Sequence, residues 1–520
     1  MAAAFAVLSE LLSRLRPTDI ALAAVLLFLS SAAAQWAIAR KGPMHWPVLG
    51  IVPVFLLHVH HIYDWVTDAT ARAGGTFCFR GVWFGRFYGV VTADPNNVEY
   101  VLKTRFHKYP KGRYYRERFA DFLGDGIFNA DDDAWREQRR TASAEMHSAK
   151  FADYSAETIR NLVHRKLVPL LRRLADTGAA VDLQDVFLRF TFDNICSAAF
   201  GVDPCCLVTD QLPEVPFALA FEDATELTLL RFLMPPVVWK TMRRFDFGTE
   251  HRLRMAIRTV HEFAEETVRT RRGEMGLEDR SDLLSRLMSS GGNVRFTDKF
   301  LKDFCISFIL AGRDTSSVAL AWFFWLLHNN PRVEAQIQSE ISAIVKQRRG
   351  PVAEEVVFTV EELKKMEYLQ AALTESLRLY PSVPVDFKEA TEDDVLPDGT
   401  SVKKGGRVIY SIYSMGRMEG IWGKDCREFR PERWLKEGVG FAGESPFKYV
   451  VFNAGPRLCV GKKFAYMQMK MVVAAILLRF RVAVEEGQEV VPKMTTTLYM
   501  KNGLRVTVES RNSVTGDMNR

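Results

Sequence analysis

The sequence predicts a mainly α fold with small β-sheets, built as one large domain behind an N-terminal membrane helix. Three observations carry this expectation. Apolar residues recur at helical spacing through most of the 520 residues, strand-like runs are few and short, and no Pro/Gly/Ser-rich linker, repeat or low-complexity tract divides the chain. Hydrophobic residues make up 48% of the chain, enough for a large core. The net charge of +6 suggests a basic patch. No zinc-finger spacing or RNP-like motif accompanies it, which excludes a nucleic-acid binder.

The elements follow in order. Residues 20–39 are almost wholly apolar and are closed by Arg40 and Lys41; twenty such residues span a bilayer as a helix. A cleaved signal peptide is the alternative, with Arg14 and Arg16 as basic region and Ala32 to Ala34 as cleavage site. Seven irregularly spaced cysteines and no glycosylation sequon point to a reducing compartment, hence to an uncleaved anchor with a cytosolic body. Basic residues balance across the segment, so charge alone does not set its orientation. Pro43 and Pro47 stiffen the next stretch. The chain thus divides into an anchor segment (1–41), a proline-rich hinge (42–50), a body (51–510) and a flexible tail (511–520).

Within the body, strands are expected at 76–79, 90–92 and 407–413. Helices are expected over 131–140, around Ile159 to Leu174, and over 251–272, 298–327, 360–379 and 463–478. Residues 495–508 read as a hairpin turning at Lys501-Asn502-Gly503.

The most informative stretch is Phe452-Asn-Ala-Gly-Pro-Arg-Leu-Cys459-Val-Gly461. It places one thiol in a glycine-bounded turn just before a helix. A helix start offers free N–H groups and a positive dipole end, which favour a thiolate. Glycines at 455 and 461 let a flat ligand approach, Arg457 suits an anionic group on it, and Phe452 shields the sulfur. The layout suits thiolate ligation of haem iron; an inert cysteine buried in a turn is the other reading. Three further stretches carry chemistry. Gly312-Arg-Asp314-Thr315-Ser sets polar side chains into the long apolar helix, where they need partners. Glu375 and Arg378 share a helix face, upstream of Pro431-Glu-Arg433. Trp135 and Arg139 share a face of a helix that begins with acids and ends with bases. His58, His60 and His61 cluster without an acid or cysteine at metal-binding spacing, and Gly455 to Lys462 is one residue too long for a phosphate loop.

The pattern Phe-x-x-Gly-x-Arg-x-Cys-x-Gly resembles the haem-binding signature of the cytochrome P-450 family at every fixed position. The resemblance runs from about Gly42 to about Glu509 and implies the cytochrome P-450 fold, with haem b bound through Cys459. It implies haem-propionate contacts from Arg139, Arg457, Trp135 and Lys388, and contributions to the haem loop from Phe452 and Gly461. It implies catalytic roles for Thr315 and Asp314 in the family's oxygen-activating stretch. Glu375, Arg378 and Arg433 match its structural triad.

Several segments look like plant fatty-acid ω-hydroxylases: 311–320, 413–418, 462–470 and 498–503. They imply long or very long acyl substrates hydroxylated at the terminal carbon for cutin or suberin monomers, with O2. No flavin or nicotinamide motif is visible, so electrons would come from an NADPH-dependent flavoprotein reductase at the endoplasmic reticulum membrane. Arg136, Arg140, Lys462, Lys463 and Lys470 are the expected docking patch. Phe304, Phe308, Val383, Val385 and Leu498 are candidates to line an apolar channel. Two alternatives stand beside this: a hydroperoxide-rearranging relative that needs no reductase, and a non-catalytic haem sensor or carrier.

Overall fold

The computed structural model describes residues 16–38, 42–82, 88–208, 212–289, 296–348 and 356–511. Arg14, Arg40, Lys41 and nearly all of the expected tail lie outside them. The helices that position the site are, in chain order, α1 (Pro17–Ile38), α2 (Gly112–Leu123), α3 (Asp132–Met146), α4 (Leu183–Phe200), α5 (Pro216–Leu233), α6 (Pro236–Arg244), α7 (Gly248–Gly273), α8 (Asp298–His328), α9 (Glu367–Leu379) and α10 (Lys462–Arg479). The strands are β1 (Thr76–Arg80), β2 (Tyr88–Thr92), β3 (Val181–Asp182), β4 (Val385–Glu389), β5 (Arg407–Ser411), β6 (Phe480–Val484) and β7 (Arg505–Ser510).

α1 turns leucines outward, with Leu22 and Leu27 61% and 70% exposed. Such a helix cannot be stabilised by the protein core. α8 is long and apolar enough to cross a membrane, but 78% of its apolar window is buried. It is the central helix of the body. Gly312 sits where α4 crosses it: a Cβ there would lie 2.6 Å from Ile195 Cδ1. The glycine is therefore a packing requirement, and α8 runs through 311–316 without a break. The largest core cluster joins the second half of α8 to α9 and α10, with Leu320, Leu369 and Val472 fully buried.

β1, β2, β5 and β4 form a four-stranded sheet in that order. β2 and β5 run parallel, with Gly89 opposite Arg407, and the other pairs are antiparallel. β6, β7 and β3 form a second sheet.

Two expectations need correction. The expected helix 360–379 is two helices, Val360–Lys365 and α9, separated at Met366, which is fully buried at ψ 76°. Burying Met366 and starting afresh is possible because Glu340 accepts hydrogen bonds from the Tyr368 and Leu369 amides, at 2.7 and 2.9 Å. Those are N–H groups a new helix start would leave unpaired. Nor is 495–508 a hairpin. β7 pairs instead with β6, Val508 opposite Val482. The preceding loop turns inward, so that Leu498, wholly buried, donates its amide to Ser382 and accepts from the Trp322 indole. The turn at 501–503 does occur; Gly503 has φ +69° because Asp182 Oδ2 occupies the place of a Cβ, 2.1 Å away.

Candidate active site

The site is built on a loop held from behind. On α9, Glu375 is fully buried and receives Arg378 Nε and Nη2, both at 2.8 Å. Arg433 Nε (3.3 Å) and the Trp434 indole (2.8 Å) complete the cluster. Arg378 also donates to the carbonyls of Cys426 and Glu428, at 2.6 and 3.0 Å. The spacing that suggests a surface pair thus makes a fully desolvated brace for the segment leading to Cys459.

The Cys459 loop closes on itself, the Cys459 amide donating to the Phe452 carbonyl at 2.8 Å. Gly455, at φ +61°, is required, because a Cβ would lie 2.1 Å from the Leu102 carbonyl oxygen. α10 begins three residues after the cysteine. Cys459 is exposed, yet protein closely surrounds its thiol. Burial pushes the thiol up, opposed by the Gly461 and Lys462 amides and by the charges of Arg139 and Lys462. Binding to a metal would be needed to hold it as thiolate at neutral pH. The Phe452 ring packs on Tyr466, centroids 5.3 Å apart.

α3 and the loop meet at Trp135. The Arg457 guanidinium lies 4.5 Å from the centre of that ring, and Nη2 donates to Asp131 and the Ala130 carbonyl, both at 2.8 Å. Trp135 therefore supports Arg457 directly. Arg139 is close enough to Cys459 to feel its charge and makes no ion pair among the described residues. Lys388, fully buried on β4, bonds Asp386 at 2.8 Å and Tyr410 at 3.0 Å. Burial pushes its ammonium down to about 7, against the pull of Asp386.

Sequence reasoning missed Lys111, which holds the other Asp386 oxygen at 2.8 Å, together with Asp386 itself and Asn453, 3.2 Å from it. Burial raises the Asp386 carboxyl, but the two lysines overcome this and hold it below the usual range. A lone lysine before a glycine gives no sequence signal, since its partner lies 275 residues away.

The residues fit haem b. Among the described residues, Arg139, Arg457, Lys111 and Lys388 have two carboxylates as ion-pair partners, Asp131 and Asp386. Four basic side chains against two carboxylates suit a ligand carrying two propionates, and the exposed Cys459 suits an iron ligand.

On α8, Thr315 Oγ1 donates to the Ala311 carbonyl at 2.7 Å, leaving its lone pairs to accept. Asp314 is 1% exposed and bonds Arg313 Nη1 at 2.8 Å; Arg313 reaches Glu222 on α5 at 2.8 Å. Burial raises the Asp314 carboxyl, with Arg313 opposing. Ser382 donates to the Thr315 carbonyl at 2.7 Å, tying α8 to the segment that leads into β4. Of the channel candidates, Phe304 and Phe308 stack at 4.2 Å, Leu498 lies in the main core, and Val385 is 39% exposed.

The cytochrome P450 family model matches residues 41–508. This chain belongs to the cytochrome P450 family. It is 54% identical over 483 residues to cytochrome P450 86B1 of Arabidopsis thaliana, covering 91% of this chain and 86% of that one. It is 41% identical to cytochrome P450 94A1 of Vicia sativa over 91% of both chains. The crystal structure of the cytochrome P450DA heme domain superposes with a TM-score of 0.74 at 20% identity, over 91% of this chain and 97% of that one, which shows the same fold. This P450 is accordingly a haem-thiolate monooxygenase: haem b bound through a cysteine thiolate, O2 as oxidant and a redox-partner reductase as electron source.

Proposed function

We propose that this P450 hydroxylates long or very long chain fatty acids at the terminal carbon, with electrons from an NADPH-dependent flavoprotein reductase at the endoplasmic reticulum membrane. Supply of cutin or suberin monomers is the role that goes with this reading. The observation that carries it is the identity to plant P450s 86B1 and 94A1 along nine-tenths of the chain, together with the ω-hydroxylase-like segments on α8 and α10. The outward leucines of α1 fit an anchor (1–41) and the prolines after it a hinge (42–50), ahead of a catalytic domain.

Cys459 is the proposed iron ligand. Once bound, haem would supply oxygen-splitting chemistry, which a thiolate ligand favours. The chain's own residues do the rest. Arg139, Arg457, Lys111 and Lys388 hold the propionates, and Phe452 shields the sulfur. Glu375, Arg378 and Arg433 fix the loop. Asp314, kept protonatable by burial, supplies protons through the Thr315 hydroxyl. Thr315→Val keeps the shape and removes the hydroxyl; product formation should fall roughly a hundredfold with haem content unchanged. A loss below about threefold would remove Thr315 from the relay.

Arg136, Arg140, Lys462 and Lys463 are exposed around the Cys459 side and form the proposed reductase patch. Lys470 does not belong to it: it is 6% exposed, turned into the protein toward Glu340 and Glu367. Reversing the charge of Lys462 and Lys463 should raise the apparent KM for reductase several-fold; an unchanged KM would refute the patch. Hydroxylated acid should form only with NADPH and reductase. Conversion of a fatty-acid hydroperoxide without either would favour the rearranging alternative.

A further inference from the structure

At the seam between α2, α5 and α6, Arg118 is 1% exposed. Its Nε donates to the Arg231 carbonyl at 2.9 Å and its Nη1 to the Tyr114 carbonyl at 3.0 Å, while Arg231 Nη1 donates back to the Arg118 carbonyl at 2.9 Å. Its Nη2 has no hydrogen-bond partner, and no carboxylate pairs with it among the described residues. The nearby acids are already taken. Lys240 holds Glu117, Arg231 holds Glu250 and Asp121, and Arg243 shares Asp121. These groups leave a net positive charge.

Beside Arg118 lies Trp239, also 1% exposed, whose indole N–H likewise lacks an acceptor. Its ring is 5.9 Å from the Arg118 guanidinium and 4.9 Å from that of Arg231. A recess of about 390 Å³ lined by Glu117, Trp239, Lys240, Arg243 and Arg244 opens beside Trp239, with Arg118 buried behind its wall. Buried N–H groups are almost always paired. Two unpaired donors, close together at the inner wall of a cationic recess, point to an anionic acceptor.

The surroundings say what carries that anion. Phe232 lies 5.4 Å from the Arg118 guanidinium and 5.9 Å from Phe387, which neighbours Lys388 on β4 at the site. Tyr115 and Phe119 continue the aromatic cluster. On the outer side Val237 and Phe245 are 77% and 73% exposed. A compact anion joined to an apolar chain fits both halves.

We infer that Arg118 and Trp239 form the subsite for the carboxylate of the acyl substrate, an inference that rests on the fatty-acid reading above. Each carboxylate oxygen accepts one of the two unpaired N–H groups. Fixing the acid end at this seam leaves the far methyl end of the chain for the haem side, which is the physical basis for terminal selectivity.

The test measures dissociation constants of the haem-loaded protein for hexadecanoic acid and its methyl ester, from the Soret shift on binding. Wild type should prefer the acid. Arg118→Gln should reduce that preference roughly tenfold to a hundredfold, as loss of a charged hydrogen bond does. Trp239→Phe, which keeps the ring, should reduce it several-fold and serves if Arg118→Gln does not fold. Equal weakening of acid and ester would make both residues structural and overturn the subsite, as would a wild type indifferent to esterification. Lost binding to anionic phospholipid vesicles with an intact acid preference would assign the recess to a lipid headgroup and overturn it too. A wild type that binds neither ligand would instead overturn the fatty-acid reading on which the subsite rests.

Discussion

Cys459→Ser is expected to abolish the red-shifted absorbance of the reduced carbon-monoxide complex and to bring hydroxylation down to background. The reason is local. The loop from Phe452 to Gly461 presents one exposed cysteine, three residues before α10, with Arg139 and Lys462 near enough to act on its charge. Its thiol is pushed up by burial, so without a metal it stays protonated at neutral pH. A serine hydroxyl ionises far less readily still and is a poor ligand for iron. The backbone bond from residue 459 to the Phe452 carbonyl does not depend on the side chain, so the loop should persist. Haem content and the absorbance spectrum separate the two effects. Survival of the red-shifted band would refute the ligand assignment outright.

Glu375→Ala is expected to be the most damaging change away from the haem. It would strand Arg378, 1% exposed, with its guanidinium facing carbonyls and no other carboxylate paired with it among the described residues. Removing one partner of a buried pair costs about 3–5 kcal/mol, a large share of the roughly 5–15 kcal/mol that holds a typical protein folded. Thermal unfolding should begin several degrees lower, and haem incorporation should fall with it. Lys403→Ala is the comparison. Its partner Asp393 and it are 60% and 71% exposed, and such solvent-screened pairs contribute little to stability. Equal unfolding midpoints for the two variants would contradict the brace.

What was legible in the sequence was what is local. The Cys459 loop, the face shared by Glu375 and Arg378, and that shared by Trp135 and Arg139 follow from spacings of three to ten residues, and all lie where the site is. Long-range pairing was not legible. Asp386 and Lys111 meet across 275 residues, and β7 chose β6 over the nearer segment 495–500. Burial misled on Lys470, since α10 is apolar on nearly every side and one lysine in it reads as a surface residue. The reason for a glycine at 312 was not legible either, since the Ile195 side chain pressing on it is invisible from either helix alone.

The most direct measurement offers the haem-loaded protein, with a plant NADPH-dependent reductase, a series of fatty acids of graded length, and locates the new hydroxyl by mass spectrometry. The expected product carries it on the terminal carbon across the accepted lengths. Hydroxylation confined to positions within the chain would contradict the account.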